Sequence, residues 1–152
     1  MHKGEKASAS SRLVGAKVLV AEDNALIAMD IELSLQEQGC IVLGPTATIA
    51  ATLASLSRDR PDVALLDLHL LDGLATPIAA TLAAADVPFA LLTGDRLDVP
   101  EDAALAGVPR MEKPWRAGDL EQLVGQLLAS PAARVSETLP AVAATSSPAT
   151  PA

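Results

Sequence analysis

The sequence predicts an α/β fold: a doubly wound domain on a five-stranded parallel sheet. Two patterns lead there. Short apolar strands alternate with helix-length amphipathic segments over residues 17–129, giving five βα units. The third and fourth strands, 63–66 and 89–92, are almost wholly apolar, as strands buried on both faces are.

The elements follow in order. The first strand, Lys17–Ala21, leads into Glu22 and Asp23. Asn24 supplies an N-cap, and a helix follows over 25–38 with Ile27, Ile31 and Leu35 at i, i+4 spacing. Gly39 ends it in the C′ position. The second strand is 40–43, and Gly44-Pro45 turns the chain. Thr46 or Thr48 opens a second helix that reaches Arg58, with Ile49, Leu53 and Leu56 inward. The third strand stops at Asp67, Asp72-Gly73 is a turn, and 74–85 forms the third helix. The fourth strand runs into Thr93. Residues 101–106 leave room for only a short fourth helix. The fifth strand, 108–112, carries Arg110 and Glu112, which suits a sheet edge. It runs into Lys113-Pro114, and a fifth helix covers 115–129. Right-handed crossovers place helices on both faces of such a sheet.

Composition narrows the function. The chain has 152 residues, the size of one small domain with tails. The folded part is expected over 13–129, between a polar, disordered segment at 1–12 and a Pro/Ala/Ser/Thr-rich disordered tail at 130–152. The first twelve residues lack the apolar stretch of a signal peptide. A net charge of −8 and a pI near 4.6 argue against nucleic acid as a partner, because phosphate backbones are held by clustered Lys and Arg. Phe89 and Trp115 are the only aromatic residues, too few for a base-stacking platform. Cys40 is the only cysteine, so no intrachain disulfide forms, which fits a reducing, cytoplasmic setting. It reads as a buried structural thiol. The apolar run 73–94 is broken by Pro77, Asp86 and Pro88, and reads as helix plus strand rather than a membrane span.

The strand ends carry the chemistry. Residues just past the carboxyl ends of neighbouring parallel strands meet in one crevice. Glu22, Asp23, Asp67, Thr93 and Lys113 occupy those positions. Adjacent carboxylates repel, so their convergence makes sense around a cation. All-oxygen donors favour Mg²⁺ or Mn²⁺. A lone Asp after a strand is often only a turn residue. Opposite an acidic pair it becomes a nucleophile able to form an aspartyl phosphate. A hydroxyl at Thr93 can bond a phosphoryl oxygen, and the Lys113 ammonium can pair with carboxylate or phosphate. Lys113-Pro114 is a place where a cis peptide is common.

The order Glu22-Asp23, Asp67, Thr93, Lys113-Pro114 resembles the receiver domain of two-component response regulators, over about residues 16–129. The resemblance implies a flavodoxin-like strand order 2-1-3-4-5. It also implies phosphoryl transfer to Asp67 from a histidine kinase or a histidine phosphotransfer protein. Carried over, Asp23 and Asp67 bind Mg²⁺ directly and Glu22 acts through water. The backbone carbonyl of His69 is a further ligand, its imidazole an exposed bystander. Thr93 receives the phosphoryl oxygen, assisted by the Gly94 N–H, and Lys113 forms the ion pair. The chain departs from the family at several points. Arg110 stands where the switch aromatic is usual, and Leu71 where a proline is usual. The run from Pro88 to Gly94 is similar to variant receivers with the motif Pro-Phe-x-Phe-Ala-Thr-Gly-Tyr. Leu91, Leu92 and Asp95 replace its second Phe, its Ala and its Tyr.

The resemblance sets the functional expectation. It is a stand-alone, Mg²⁺-dependent signalling domain whose only chemistry is self-catalysed phosphotransfer and dephosphorylation. Its output is a protein contact through the face made by the fourth helix, fifth strand and fifth helix, near Arg110 or Trp115, with no nucleic acid or membrane partner. The alternatives are a phosphate sink, a pseudo-receiver that is never phosphorylated, and a phosphohydrolase of the haloacid dehalogenase type. The last needs a second Asp two residues after its nucleophile behind the first strand. Here Asn24 and Ala25 follow Asp23.

Overall fold

Alternation along each strand decides which helix covers which face. The computed structural model describes residues 12–94 and 99–129. Its strands are β1 (Lys17–Ala21), β2 (Ile41–Thr46), β3 (Val63–Asp67), β4 (His69–Leu70), β5 (Gly73–Leu74), β6 (Phe89–Thr93) and β7 (Arg110–Glu112). Its helices are α1 (Ala25–Glu37), α2 (Ile49–Arg58), α3 (Thr76–Ala84) and α4 (Asp119–Leu128). Five parallel strands make the main sheet in the order β2-β1-β3-β6-β7, while β4 and β5 form a small antiparallel hairpin. This is the predicted doubly wound, flavodoxin-like arrangement, with β7 as the expected edge.

Leu19 and Ala21 of β1, Leu66 of β3 and Leu91 of β6 share one core with Ile78 and Leu82 of α3, against which Ile49, Leu53 and Leu56 of α2 pack. Val18, Val20, Leu65 and Leu92 share the opposite core with Ile31 and Leu35 of α1 and Leu120, Val124 and Leu127 of α4. Every residue of β3 and β6 is buried. Covering both faces this way leaves the strand ends as the open rim. Cys40 is buried in the second core, and burial, then the nearby Glu121 charge, pushes its thiol pKa up.

Several predicted boundaries shift, each for a local reason. The Gly44-Pro45 pair does not turn the chain but lies inside β2, where pairing with β1 slips between Leu19↔Leu43 and Ala21↔Thr46. Gly44 has φ +100, and a Cβ there would come within 2.9 Å of the Val20 carbonyl oxygen and the Thr46 nitrogen. The slip lets Thr46 O accept from Glu22 N at 2.9 Å, so the irregularity holds the first site residue. Thr48, not Thr46, caps α2 and accepts from Ala51 N. The third helix starts two residues late because Gly73 and Leu74 pair with the hairpin instead.

The fourth helix is a single 3₁₀ turn, Ala103–Leu105, capped by Asp102 and anchored by buried Leu105. The fifth strand begins at Arg110, after Pro109, which has no N–H to offer a sheet. The last helix starts at Asp119 rather than 115, because Gly118, at φ +91, cannot continue a right-handed helix. Both Gly44-Pro45 and Lys113-Pro114 peptides are cis. Of the expected tails over 1–12 and 130–152, only Arg12 is described, in a helical turn, and the rest, with Asp95, lies outside the described residues. Among the described residues no helix is long and apolar enough to cross a membrane.

Gly44→Ala should destabilise the fold by more than about 1 kcal/mol, since it strains the backbone and crowds a carbonyl. Urea unfolding with an unchanged m-value and a lowered midpoint would show it. An unchanged midpoint would mean that β2 relaxes freely.

Candidate functional site

Strand register assembles the site. Ala21 pairs with Leu66, Asp67 with Leu92 and Thr93 with Glu112. Stepping past the end of each strand therefore brings Glu22 beside Asp67, and Thr93 and Lys113 along the same rim. Lys113 N donates to Thr93 O at 2.8 Å, which carries the β6–β7 pairing to the lysine itself.

The side chains then close on one another. Lys113 Nζ lies 2.9 Å from Glu22 Oε1 and 3.1 Å from Asp67 Oδ2. Glu22 and Asp67 are buried, and Lys113 is mostly covered. Glu22 Oε2 accepts from Asn24 N at 3.0 Å. Asn24 in turn caps α1, its Oδ1 accepting from Leu26 N and Ile27 N. One turn thus starts the helix and orients the glutamate. Asp67 Oδ1 accepts from His69 N at 3.3 Å, which folds the following loop back over the carboxylate.

One carboxylate oxygen from each of Glu22, Asp23 and Asp67 lies within 4.8 Å of the others. Burial raises the Asp67 pKa above the ordinary carboxylate value. Glu22 adds to the rise, while a hydrogen bond from Asp23 and the charge of Lys113 oppose it. Burial works against the Lys113 ammonium, but Glu22 and Asp67 outweigh it and hold its pKa above the ordinary lysine value. Three acids therefore share one ammonium. Hard, all-oxygen, electron-rich and short of positive charge, this donor set fits a divalent cation such as Mg²⁺.

Thr93 is buried at the end of β6, and its hydroxyl oxygen has no hydrogen-bond partner among the described residues. A buried hydroxyl left without a partner costs about 1–3 kcal/mol. In a native structure such a group points to strain, a catalytic role, or a water or ion that bonds it.

The predicted residues divide accordingly. Glu22, Asp23, Asp67 and Lys113 meet directly, and Thr93 joins them by register. His69 donates its backbone N–H to Asp67, and its side chain is exposed as expected. Arg110 is exposed at the start of β7 and lines a hollow with Val99, Pro100, Glu101 and Asp102. Trp115 does not share that surface. It packs in the α1–α4 core and, with Leu26, Ile27 and Asp30 of α1, lines a cleft of about 240 Å³ beside Lys113. Sequence reasoning missed the direct Lys113–Glu22 pair and the reach of Asp72 to α2, where Asp72 Oδ1 accepts from Ile49 N at 2.6 Å. Only a three-dimensional fold reveals either, since the partners are far apart along the chain.

Fold and site together define a doubly wound domain with an acidic pocket at the carboxyl ends of its strands. The chain belongs to the response regulator receiver domains of two-component systems. It is 32% identical over 127 residues to the phyllosphere-induced regulator PhyR of Methylorubrum extorquens, covering 76% of this chain and 44% of that protein. The chain therefore spans less than half the length of this curated relative. It is 33% identical to SdrG from Sphingomonas melonis Fr1, whose solution structure superposes with a TM-score of 0.62 over 81% of this chain and 98% of SdrG. The receiver domain of the sensor histidine kinase PA1611 from Pseudomonas aeruginosa PAO1 is 25% identical, with a TM-score of 0.68 over 77% of this chain and 100% of that domain. That structure has a magnesium ion coordinated in its active site cleft. No protein-family model matches the sequence.

The raised Asp67 pKa has a sign that can be tested. Its folded value exceeds its unfolded one, so Asp67 favours folding below the unfolded pKa, and that contribution is lost as pH rises through the folded pKa. Without divalent cations, Asp67→Asn should melt at a higher temperature than wild type at neutral pH, and the gap should close as pH falls toward 4, about the ordinary Asp value. Thermal melts across that range check it. A gap that widens on acidification would contradict the assignment.

Proposed function

We propose that this domain accepts a phosphoryl group on Asp67 from the phosphohistidine of a histidine kinase or a histidine phosphotransfer protein. Phosphorylation then changes a protein contact. The buried Thr93 hydroxyl without a partner, on the rim that holds Asp67 and Lys113, is the observation that carries this reading. It supplies a donor for an oxygen that arrives only with the phosphoryl group.

The residues divide the work. An Asp67 carboxylate oxygen attacks phosphorus as the N–P bond of the phosphohistidine breaks, and the imidazole leaves. Lys113, already 3.1 Å from Asp67, pairs with the phosphoryl oxygens as they approach. The Thr93 hydroxyl donates to one of them, assisted by the Gly94 N–H. Glu22, Asp23, Asp67 and the His69 carbonyl would hold Mg²⁺, with Glu22 acting through water. When bound, Mg²⁺ neutralises the acidic cluster and the charge on the incoming group. The magnesium in the PA1611 receiver supports that assignment.

The exposed Arg110 replaces the aromatic usual at this position, so the output cannot run through an inward-swinging ring. The hollow beside it, between the 3₁₀ turn and β7, is the surface proposed to meet the downstream protein.

Incubation with a small phosphodonor and Mg²⁺ should add one phosphoryl mass to wild type and none to Asp67→Asn. Thr93→Ala should lower the labelling rate about 10-fold or more, in line with loss of one donor to a developing charge. Intact-protein mass spectrometry reads both. Labelling that persists in Asp67→Asn, or none in wild type, would overturn the proposal.

A further inference from the structure

The loop that follows Asp67 is clamped at its far end. Its tip, Leu71-Asp72, joins β4 to β5 and reaches the start of α2. Asp72 Oδ1 accepts from Ile49 N at 2.6 Å and Oδ2 from Ala50 N at 3.2 Å. Leu71 N donates to Ala47 O at 3.1 Å. Ile49 also packs close to Gly73, where its Cδ1 lies 3.4 Å from the place a Cβ would take.

Asp72 thus does a capping residue's work from 23 residues away, on the first two amides of α2, while Thr48 takes the third. The bond from Ile49 N holds its carboxyl below the ordinary carboxylate value; desolvation opposes this, and the bond from Ala50 N adds to the lowering. At its near end the same loop is held by His69 N on Asp67 and Ala75 N on Leu68 O. The hairpin is a short span fixed at both ends. His69 lies inside it.

We propose that Asp72 is a positioning residue. By tying the hairpin to the N-terminus of α2, it fixes the backbone that presents the His69 carbonyl to the acidic pocket. This rests on the proposed Mg²⁺ site and assigns that site a support that touches neither metal nor phosphoryl group. Groups bonded directly to a metal ligand typically cost about 10–100-fold in metal affinity when lost, and Asp72, acting through the hairpin backbone, should fall at the low end of that range.

The test compares Asp72→Ala, Asp72→Asn and Thr48→Ala by Mg²⁺ titration followed through Trp115 fluorescence, and by amide hydrogen exchange without metal. Asp72→Ala should weaken Mg²⁺ affinity about 10-fold. It should also speed exchange at Leu71, Ile49 and Ala50. Asp72→Asn keeps one of the two acceptor oxygens, so its loss of affinity should fall between wild type and Asp72→Ala. Thr48→Ala removes a cap from the same helix without releasing the hairpin, so it should lower the melting temperature and leave Mg²⁺ affinity unchanged. If Asp72→Ala does not fold, Asp72→Ser, too short to reach both amides, takes its place. Equal loss of affinity in Thr48→Ala and Asp72→Ala would overturn the proposal, because helix stability alone would then explain the effect. So would wild-type affinity in Asp72→Ala. A wild type that takes up no Mg²⁺, with the exchange pattern intact, would instead sink the functional reading beneath it.

Discussion

One ammonium shared by two buried carboxylates organises this molecule's working end. Lys113 stands between Glu22 and Asp67, at 2.9 and 3.1 Å. Without it, two buried acids would face each other with no counter-charge, an arrangement that costs several kcal/mol when one partner is removed. Its position depends on the sheet. β1 and β6 flank β3 and β7 follows β6; Asp67 and Thr93 are the last paired residues of β3 and β6, and Glu22 and Lys113 lie one step beyond the last pairs of β1 and β7. The apolar interior strands are buried on both faces, so the sheet cannot slide without exposing a core.

The same economy of charge explains what the pocket lacks. Lys113 reaches Glu22 and Asp67, and with Asp23 three carboxylates share one ammonium. The buried Thr93 oxygen adds a polar group without a partner among the described residues. A site that is fully satisfied gains nothing from a ligand. This one is left acidic, with a polar group unpartnered among the described residues, which is the chemistry the proposed cation and phosphoryl group would meet.

Much of this was legible in the sequence because it is local and periodic. Strand-length apolar runs ending at Asp67 and Thr93, and helical spacing at Ile27, Ile31 and Leu35, translate directly into alternating layers. Glu22, Asp23, Asp67, Thr93 and Lys113 could be picked out because strand ends in a parallel sheet must converge. The misses have a different character. Gly44-Pro45 reads as a turn, yet β1 pairs across it with a slipped register. Leu74 reads as the start of a helix, yet cross-strand pairing with His69 claims it. Trp115 reads as the start of the last helix, near the contact face, yet it lies before that helix and packs against the α1–α4 core. Asp72 reads as a turn residue, and its carboxylate caps a helix that precedes it in the chain. For Gly44-Pro45 and Trp115 a contact with a sequence-distant partner outweighed the local signal, Leu74 is claimed by its own hairpin, and Asp72 keeps its turn and adds a distant contact.

The central claim is that Asp67 sits buried beside Glu22, with an Asp23 hydrogen bond and the Lys113 charge offsetting only part of that burden. Carbon-13 NMR of the Asp67 carboxyl, followed through an acid titration with and without Mg²⁺, tests it most directly. Without the metal the carboxyl should titrate above about 3.9, the ordinary Asp value, and Mg²⁺ should move its midpoint down. A midpoint at the ordinary value that ignores Mg²⁺ would contradict the account, for it would mean that Glu22 and Lys113 do not crowd Asp67 in solution.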